Sequence, residues 1–275
     1  MLRRVSMMIM VIMSAIFILA GCGTKIDAEG DGVFKVGMEA GYAPFNWTQN
    51  DDANGAVKIL GTEEFAAGYD VEIAKKIAEG LGEELVIVKV EWDGLVPALK
   101  AGTIDAIVAG MSPTEKRKES IDFTDNYYMS DLVLVVAKDG EYTDATSLSD
   151  FSGAKVTAQL NTFHYDVIDQ IEGVEKQTAM DNFSAIRVAL ESGVIDAYVT
   201  ERPEAVSASA ANEKFMFVEL TDGFETSPDD TAIAVGINKG NDALVESINS
   251  ILGELSVEDQ QSIMDQAILN QPSAE

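Results

Sequence analysis

The stretch Trp92-Asp-Gly-Leu-Val-Pro-Ala-Leu-Lys-Ala-Gly-Thr-Ile-Asp-Ala-Ile-Val108 returns without gaps as Phe183-Ser-Ala-Ile-Arg-Val-Ala-Leu-Glu-Ser-Gly-Val-Ile-Asp-Ala-Tyr-Val199. Each copy reads as an aromatic residue, an amphipathic helix, a glycine, Ile-Asp-Ala and an apolar strand. Internal self-similarity reveals architecture before any motif is named. Gly102 and Gly193 stand where a helix C-terminus is expected, and Ile104–Val108 and Ile195–Val199 suit short buried strands. A weaker echo matches Phe34-Lys-Val-Gly-Met-Glu39 with Ala154-Lys-Val-Thr-Ala-Gln159, each a strand near the start of a half. The chain is therefore predicted to form two α/β lobes of similar plan.

In sheets of this kind ligands gather at the carboxyl ends of the strands. Those ends carry Glu39 with Tyr42 and Gly110 with Ser112 in the first half, and Gln159 with Thr162 and then Glu201 in the second. Two lobes facing each other through them enclose a small polar cavity. Between the first strand and the first repeat, Tyr69, Ile73 and Ile77 recur at helical spacing, with Ala74, Ala78 and Leu81 widening the apolar face. This segment is predicted to be scaffold, with Lys75, Lys76 and Glu79 in solvent.

Upstream, Arg3 and Arg4 precede an apolar run from Met7 to Leu19, which ends in Leu19-Ala20-Gly21-Cys22. The layout is that of a secretory signal peptide, and the run is shorter than the roughly 18 apolar residues expected of a spanning helix. Residues 1–21 are accordingly set apart from the fold. The tetrapeptide resembles the bacterial lipobox, which implies that Cys22 receives a lipid and becomes the first mature residue. Cys22 is the only cysteine, so no disulfide framework arises. Residues 22–32 read as a flexible tether, since Ile26 to Gly32 lacks apolar periodicity.

Without Arg3 and Arg4, 17 basic residues face 47 acidic ones, a formal charge of −30. Such a surface repels nucleic acid and anionic lipid heads. The remaining length suits two modest domains or one large one.

Gly68-Tyr-Asp-Val-Glu-Ile-Ala-Lys-Lys-Ile-Ala-Glu-Gly-Leu81 resembles the signature of the polar amino-acid family of bacterial extracellular solute-binding proteins. Three further segments follow the family's order: Val36-Gly-Met-Glu-Ala-Gly-Tyr-Ala-Pro-Phe45, Trp92 to Leu99, and Asp105 to Arg117 running on to Ile121-Asp-Phe-Thr124. The likeness spans residues 33–270. It implies an α/β, two-lobed periplasmic-binding-protein fold of type II, whose lobes are joined by two crossover strands near residues 126–131 and 226–231. Lobe 1 then comprises residues 33–128 and 230–272, lobe 2 residues 129–229. The implied role is capture of a free L-amino acid by lobe closure. Its implied partners are the permease and ATPase of an ABC importer, with the chain held to the outer face of the membrane through Cys22. A monomer without cofactor or metal is expected.

A zwitterionic ligand brings a carboxylate and an ammonium, neither of which is buried without a partner. Arg117 matches the family's carboxylate-binding arginine, and a guanidinium fork suits a carboxylate. Asn161-Thr162-Phe163-His164 occupies the place of the family's Gly-Thr/Ser-Thr turn, whose backbone N–H groups also suit a carboxylate. Here it departs from the pattern, with Asn161 for glycine and Phe163 and His164 for small or polar residues; Asn tolerates the left-handed conformation. Glu201 takes the acidic position for the ammonium, with the Gly110 carbonyl and the Ser112 hydroxyl as further acceptors. His164, the only histidine, is expected beside the cleft or on the helix surface, without a catalytic role.

Glu39, Tyr42, Trp92 and Gln159 remain to line the side-chain pocket. Arg117 and Glu201 balance the ligand's own charges, so a buried Glu39 calls for a cationic side chain, and Trp92 beside Tyr42 offers aromatic faces to it. Arginine or lysine is the leading ligand, glutamine or another polar neutral amino acid the alternative. A dehydratase-like enzyme on the same fold is the rival class, disfavoured by the lack of a recognisable nucleophile and base.

Overall fold

The computed structural model of the chain describes residues 32–272. The leader, the predicted lipid attachment at Cys22 and the tether as far as Asp31 lie outside these residues. Two five-stranded sheets dominate. The first has the order Glu84–Lys89, Val33–Met38, Ala106–Ile107, Ala232–Asn238, Ile121–Met129; the second has the order Glu175–Lys176, Lys155–Thr157, Ala197–Glu201, Leu132–Ala137, Phe215–Val218. In each, the first three strands and the fifth run the same way and the fourth alone is antiparallel to its neighbours. Each sheet thus takes its fourth strand next to the crossovers, and the result is the two-lobed type II arrangement.

The internal repeat has a physical cause. Asp105 accepts the backbone N–H of Lys35 on Oδ2 at 2.8 Å and donates its own N–H to the Lys35 carbonyl at 2.8 Å; Asp196 does both with Lys155, also at 2.8 Å. The aspartate of each Ile-Asp-Ala is therefore a two-bond clamp between the strand after the helix and the strand that opens the half. Gly102 and Gly193 follow the helices Leu95–Lys100 and Phe183–Glu191 with φ of 70° and 71°, the left-handed geometry that ends a helix without a Cβ clash. The strands begin later than predicted, at Ala106 and Ala197, because the clamp occupies the position before them.

The chain leaves the first sheet at Met129 and enters the second at Leu132, so residues 126–129 of the expected crossover still pair in the first sheet. The return differs from expectation. Residues 228–231 form a helical turn, Pro228–Thr231, started by a Ser227–Asp230 capping box with proline in the first turn, and the strand begins only at Ala232. The Ser130 N–H donates to the Thr231 carbonyl at 2.9 Å and ties the two crossings together.

Helix Tyr69–Leu81 buries Tyr69, Ile73, Ala74, Ile77 and Ala78, as its spacing predicts, while Leu81 stays half-buried. Asp70 is also fully buried in its first turn, which periodicity does not foresee. Helix Asp242–Leu252 packs on the first lobe, where Asn249 accepts the Asp125 N–H at 2.7 Å, and helix Val257–Asn270 lies against both Tyr69–Leu81 of the first lobe and Arg202–Ala211 of the second. Past them, Gln271 reaches Ser207 of the second lobe through its side-chain oxygen and nitrogen. Among the described residues no helix is long and apolar enough to cross a membrane.

Candidate ligand-binding cleft

The strand ends converge as the parallel order requires. Gly110 and Ser112 follow Ala106–Ile107, Gln159 and Thr162 follow Lys155–Thr157, and Glu201 closes Ala197–Glu201. Tyr42, Trp92, Gly110, Ser112, Arg117, Gln159, Thr162, Phe163 and Glu201 line one cavity, together with His164. Its volume is about 10 Å³, the room of roughly one water molecule. Glu39 does not line it. Its side chain, 7% exposed, stands behind Gln159, whose Nε2 donates to Oε2 at 3.0 Å.

Arg117 sits in the short helix Glu115–Lys118, capped by Thr114. Its Nη1 donates to the Ser112 carbonyl at 2.9 Å and its Nη2 crosses the cleft to the Asn161 carbonyl at 3.2 Å. Among the described residues no carboxylate pairs with it. Burial lowers its pKa to about 10, and it stays charged at neutral pH. The guanidinium lies 5.0 Å from the centre of the Trp92 ring. The face predicted to receive a ligand cation is thus covered by the protein's own arginine.

Tyr42 also departs from its predicted part. Its ring stacks on Phe45 at 5.1 Å and on Phe183 at 4.5 Å, so it offers the cleft its hydroxyl rather than a face. Phe183, the counterpart of Trp92 in the repeat, backs this tyrosine from the other lobe.

The Tyr42 hydroxyl donates to Oε2 of Glu201 across the cleft. His164 Nε2 stands 2.9 Å from Oε1, although neither ring nitrogen has an aligned hydrogen-bond partner. The histidine is only 4% exposed and faces the cavity, a correction to its expected place beside the cleft or on the helix surface. Phe163, packed at 4.5 Å from the imidazole, and the one-turn helix Phe163–Asp166 hold it inward. Burial pushes Glu201 up to about 8, with Glu204 adding to the shift, and burial beside Arg117 takes His164 down to about 3. At neutral pH the pair is a protonated carboxyl against a neutral imidazole.

Asn161 adopts φ 56°, the left-handed turn conformation usually given to glycine. Its side chain crosses to Asp93 at 2.9 Å. The Thr162 hydroxyl donates back to the Gln159 carbonyl at 2.7 Å and makes no cap bond to the helix.

Beneath the cleft runs a buried chain that motif reading missed. Gly110 donates its N–H to the Tyr127 hydroxyl at 3.2 Å, Tyr127 donates to Asp70 at 2.7 Å, and Asn46 donates to the other Asp70 oxygen at 2.7 Å. Gly110 has φ 61°, and a Cβ on it would meet the Tyr42 ring at 3.0 Å. Burial raises Asp70 to about 6 against the pull of these bonds. Among the described residues no group of His, Cys, Asp and Glu is arranged to hold a metal ion.

A pair of α/β lobes with a guanidinium that meets no carboxylate among the described residues and a buried carboxyl lining one cleft is the arrangement of a binding protein for a small solute. The chain belongs to the bacterial extracellular solute-binding proteins, family 3, matched over residues 34–268. It is 31% identical to the "Probable histidine-binding protein" of Campylobacter jejuni, over 78% of this chain and 81% of that one. With the arginine-binding extracellular protein ArtP of Bacillus subtilis it shares 26% identity over 87% and 88% of the two chains. Among solved structures, an amino acid ABC transporter substrate-binding protein of Streptococcus pneumoniae bound to L-arginine superposes with a TM-score of 0.76 at 27% identity, covering 86% of this chain and 94% of that one.

Proposed function

We propose that the protein captures a free cationic L-amino acid, arginine or lysine, between its lobes and hands it to an ABC importer, while tethered to the outer face of the cytoplasmic membrane through a lipid on Cys22. The observation that carries the reading is the placement of Arg117 and Glu201 on opposite lobes around one cavity. Arg117 would receive the ligand carboxylate, and Glu201, on losing its proton, the ammonium. Gly110 and Ser112 supply further acceptors, and the Asn161–Thr162 turn supplies backbone N–H groups. The cavity is too small for an amino acid, so entry requires the lobes to part and close again. The arginine-bound structure and the arginine-binding relative support this assignment.

The second reading is a polar neutral ligand such as glutamine or histidine. Burial pushes Glu39 up to about 7, and it already accepts from Gln159, so a half-protonated Glu39 does not demand a cation. The histidine-binding relative points the same way.

Residues 26–275, freed of carried-over ligand by unfolding and refolding, should be titrated with the twenty amino acids by calorimetry. One-to-one binding of arginine or lysine is expected, with Glu39→Gln shifting preference towards neutral ligands by roughly tenfold or more, the loss of a charged hydrogen bond. A native preference for a neutral amino acid would remove the argument from Glu39, and no binding at all would remove the amino-acid reading.

A further inference from the structure

His164 and Glu201 both belong to the second lobe, one on the single-turn helix Phe163–Asp166 and the other at the end of strand Ala197–Glu201, so their spacing is kept when the lobes part. The two oxygens of Glu201 are addressed differently. Oε2 takes the Tyr42 hydroxyl from across the cleft, while Oε1 stands 2.9 Å from His164 Nε2 within its own lobe. A ligand ammonium that displaces Tyr42 takes Oε2 and leaves Oε1 to the imidazole. That imidazole is unsettled. Its distance to Oε1 is right, but the ring is out of line, and Nδ1 and Nε2 are both buried without a hydrogen-bond partner. Unpaired buried polar atoms are costly, and a ring turned into line with Oε1 recovers one of them.

His164 cannot answer a ligand by changing its charge. Burial opposes an imidazolium, Arg117 in the same cavity adds to that, and a ligand ammonium would bring a further cation. The ionisable groups that act on the pair among the described residues are Tyr42 and Arg117 from the first lobe and Glu204 from helix Arg202–Ala211. A neutral imidazole keeps one move. Its single ring proton sits on either nitrogen, which makes Nε2 an acceptor towards a protonated carboxyl or a donor towards an ionised one.

We infer that His164 is a positioning residue for the ligand ammonium and answers binding by a change of tautomer: in the empty cleft its bare Nε2 faces the Oε1–H of Glu201, and in the liganded cleft its Nε2–H donates to the Oε1 carboxylate. The protons balance. Glu201 gives up one proton, which leaves the protein, and the imidazole carries one proton before and after, moved from Nδ1 to Nε2. The second arrangement holds Glu201 as a carboxylate and frees Oε2 for the ammonium. The inference rests on the amino-acid reading of the cleft.

His164 is the only histidine, so protein made with ring-labelled histidine and without a histidine tag gives the nitrogen NMR signals of one imidazole. Spectra at pH 7 are compared before and after saturation with the unlabelled amino acid that the twenty-ligand titration selects. The ligand-free protein should carry its ring proton on Nδ1, the saturated protein on Nε2. In calorimetry His164→Leu should weaken binding by about tenfold or more, the loss of a hydrogen bond to a charged group, whereas His164→Gln, whose amide both donates and accepts, should stay within about threefold of the native protein. One tautomer in both states, a doubly protonated ring, or a His164→Gln variant as weak as His164→Leu would overturn the inference and leave the amino-acid reading standing. The spectra use the native sequence, so they remain decisive even where a variant fails to fold. A native protein that binds none of the twenty would overturn the amino-acid reading and the inference with it.

Discussion

Tyr42 and Glu201 come from opposite lobes, and the phenol of one donates to the carboxyl of the other at the site proposed for the ligand ammonium. An incoming ammonium competes with this donor for the same oxygen. Tyr42→Phe removes the competitor and keeps the ring stack on Phe45 and Phe183. With an internal hydrogen bond worth about 0.5–1.5 kcal/mol, affinity should rise by roughly two- to tenfold in calorimetry. Weaker binding would mean that the hydroxyl contacts the ligand directly.

Glu201 links binding to protons. Buried, with His164, Tyr42, Arg117 and Glu204 around it, its pKa is about 8 against an ordinary 4.5, so at pH 7 it holds a proton. An ammonium ligand requires the carboxylate and must expel that proton. Affinity should climb as pH rises from 6 towards 8, by up to about tenfold per unit, and then level off. Titrations at pH 7 in buffers of different ionisation enthalpy should report release of close to one proton. Glu201→Gln should abolish the release.

Arg117→Lys keeps the charge but loses the planar fork. The expected cost is about 2 kcal/mol, roughly thirtyfold in Kd, with unfolding temperature little changed because the arginine spans no ion pair among the described residues. Binding unaffected by this change would place the ligand carboxylate elsewhere.

Tyr127→Phe cuts the chain from Asp70 to Gly110 and leaves a buried carboxyl and a backbone N–H each short of a partner. Stability should fall by about 1–3 kcal/mol in urea unfolding. Ligand affinity should fall too, because Gly110 is no longer anchored. A loss of stability with affinity intact would show that the chain supports the lobe but does not place the glycine.

Much of this arrangement was legible in the sequence because it depends on short-range rules. The paired Ile-Asp-Ala segments mark strands, and parallel strands bring their ends, hence Gly110, Gln159 and Glu201, to one side of each lobe. What escaped depends on how the lobes meet. Whether Tyr42 shows a ring or a hydroxyl is decided by Phe183, far away in the chain, and whether Trp92 is open to a ligand is decided by the direction Arg117 takes. His164 looked peripheral because polarity alone does not reveal that Phe163 turns it inward. Asp70 lay hidden in an amphipathic helix, since its partners Asn46 and Tyr127 come from separate strands.

The two aspartate clamps, Asp105 on Lys35 and Asp196 on Lys155, have a mechanical meaning. Each fixes the relative height of the two strands whose ends carry that lobe's contacts, so each lobe behaves as a rigid tile surveyed to its own reference mark. Recognition then reduces to the alignment of two tiles, set by the linking residues 130–131 and 219–231 together with bonds across the lobes such as Gln271 to Ser207. Small changes in those segments would retune the fit for every ligand atom at once, without touching any residue of the cleft.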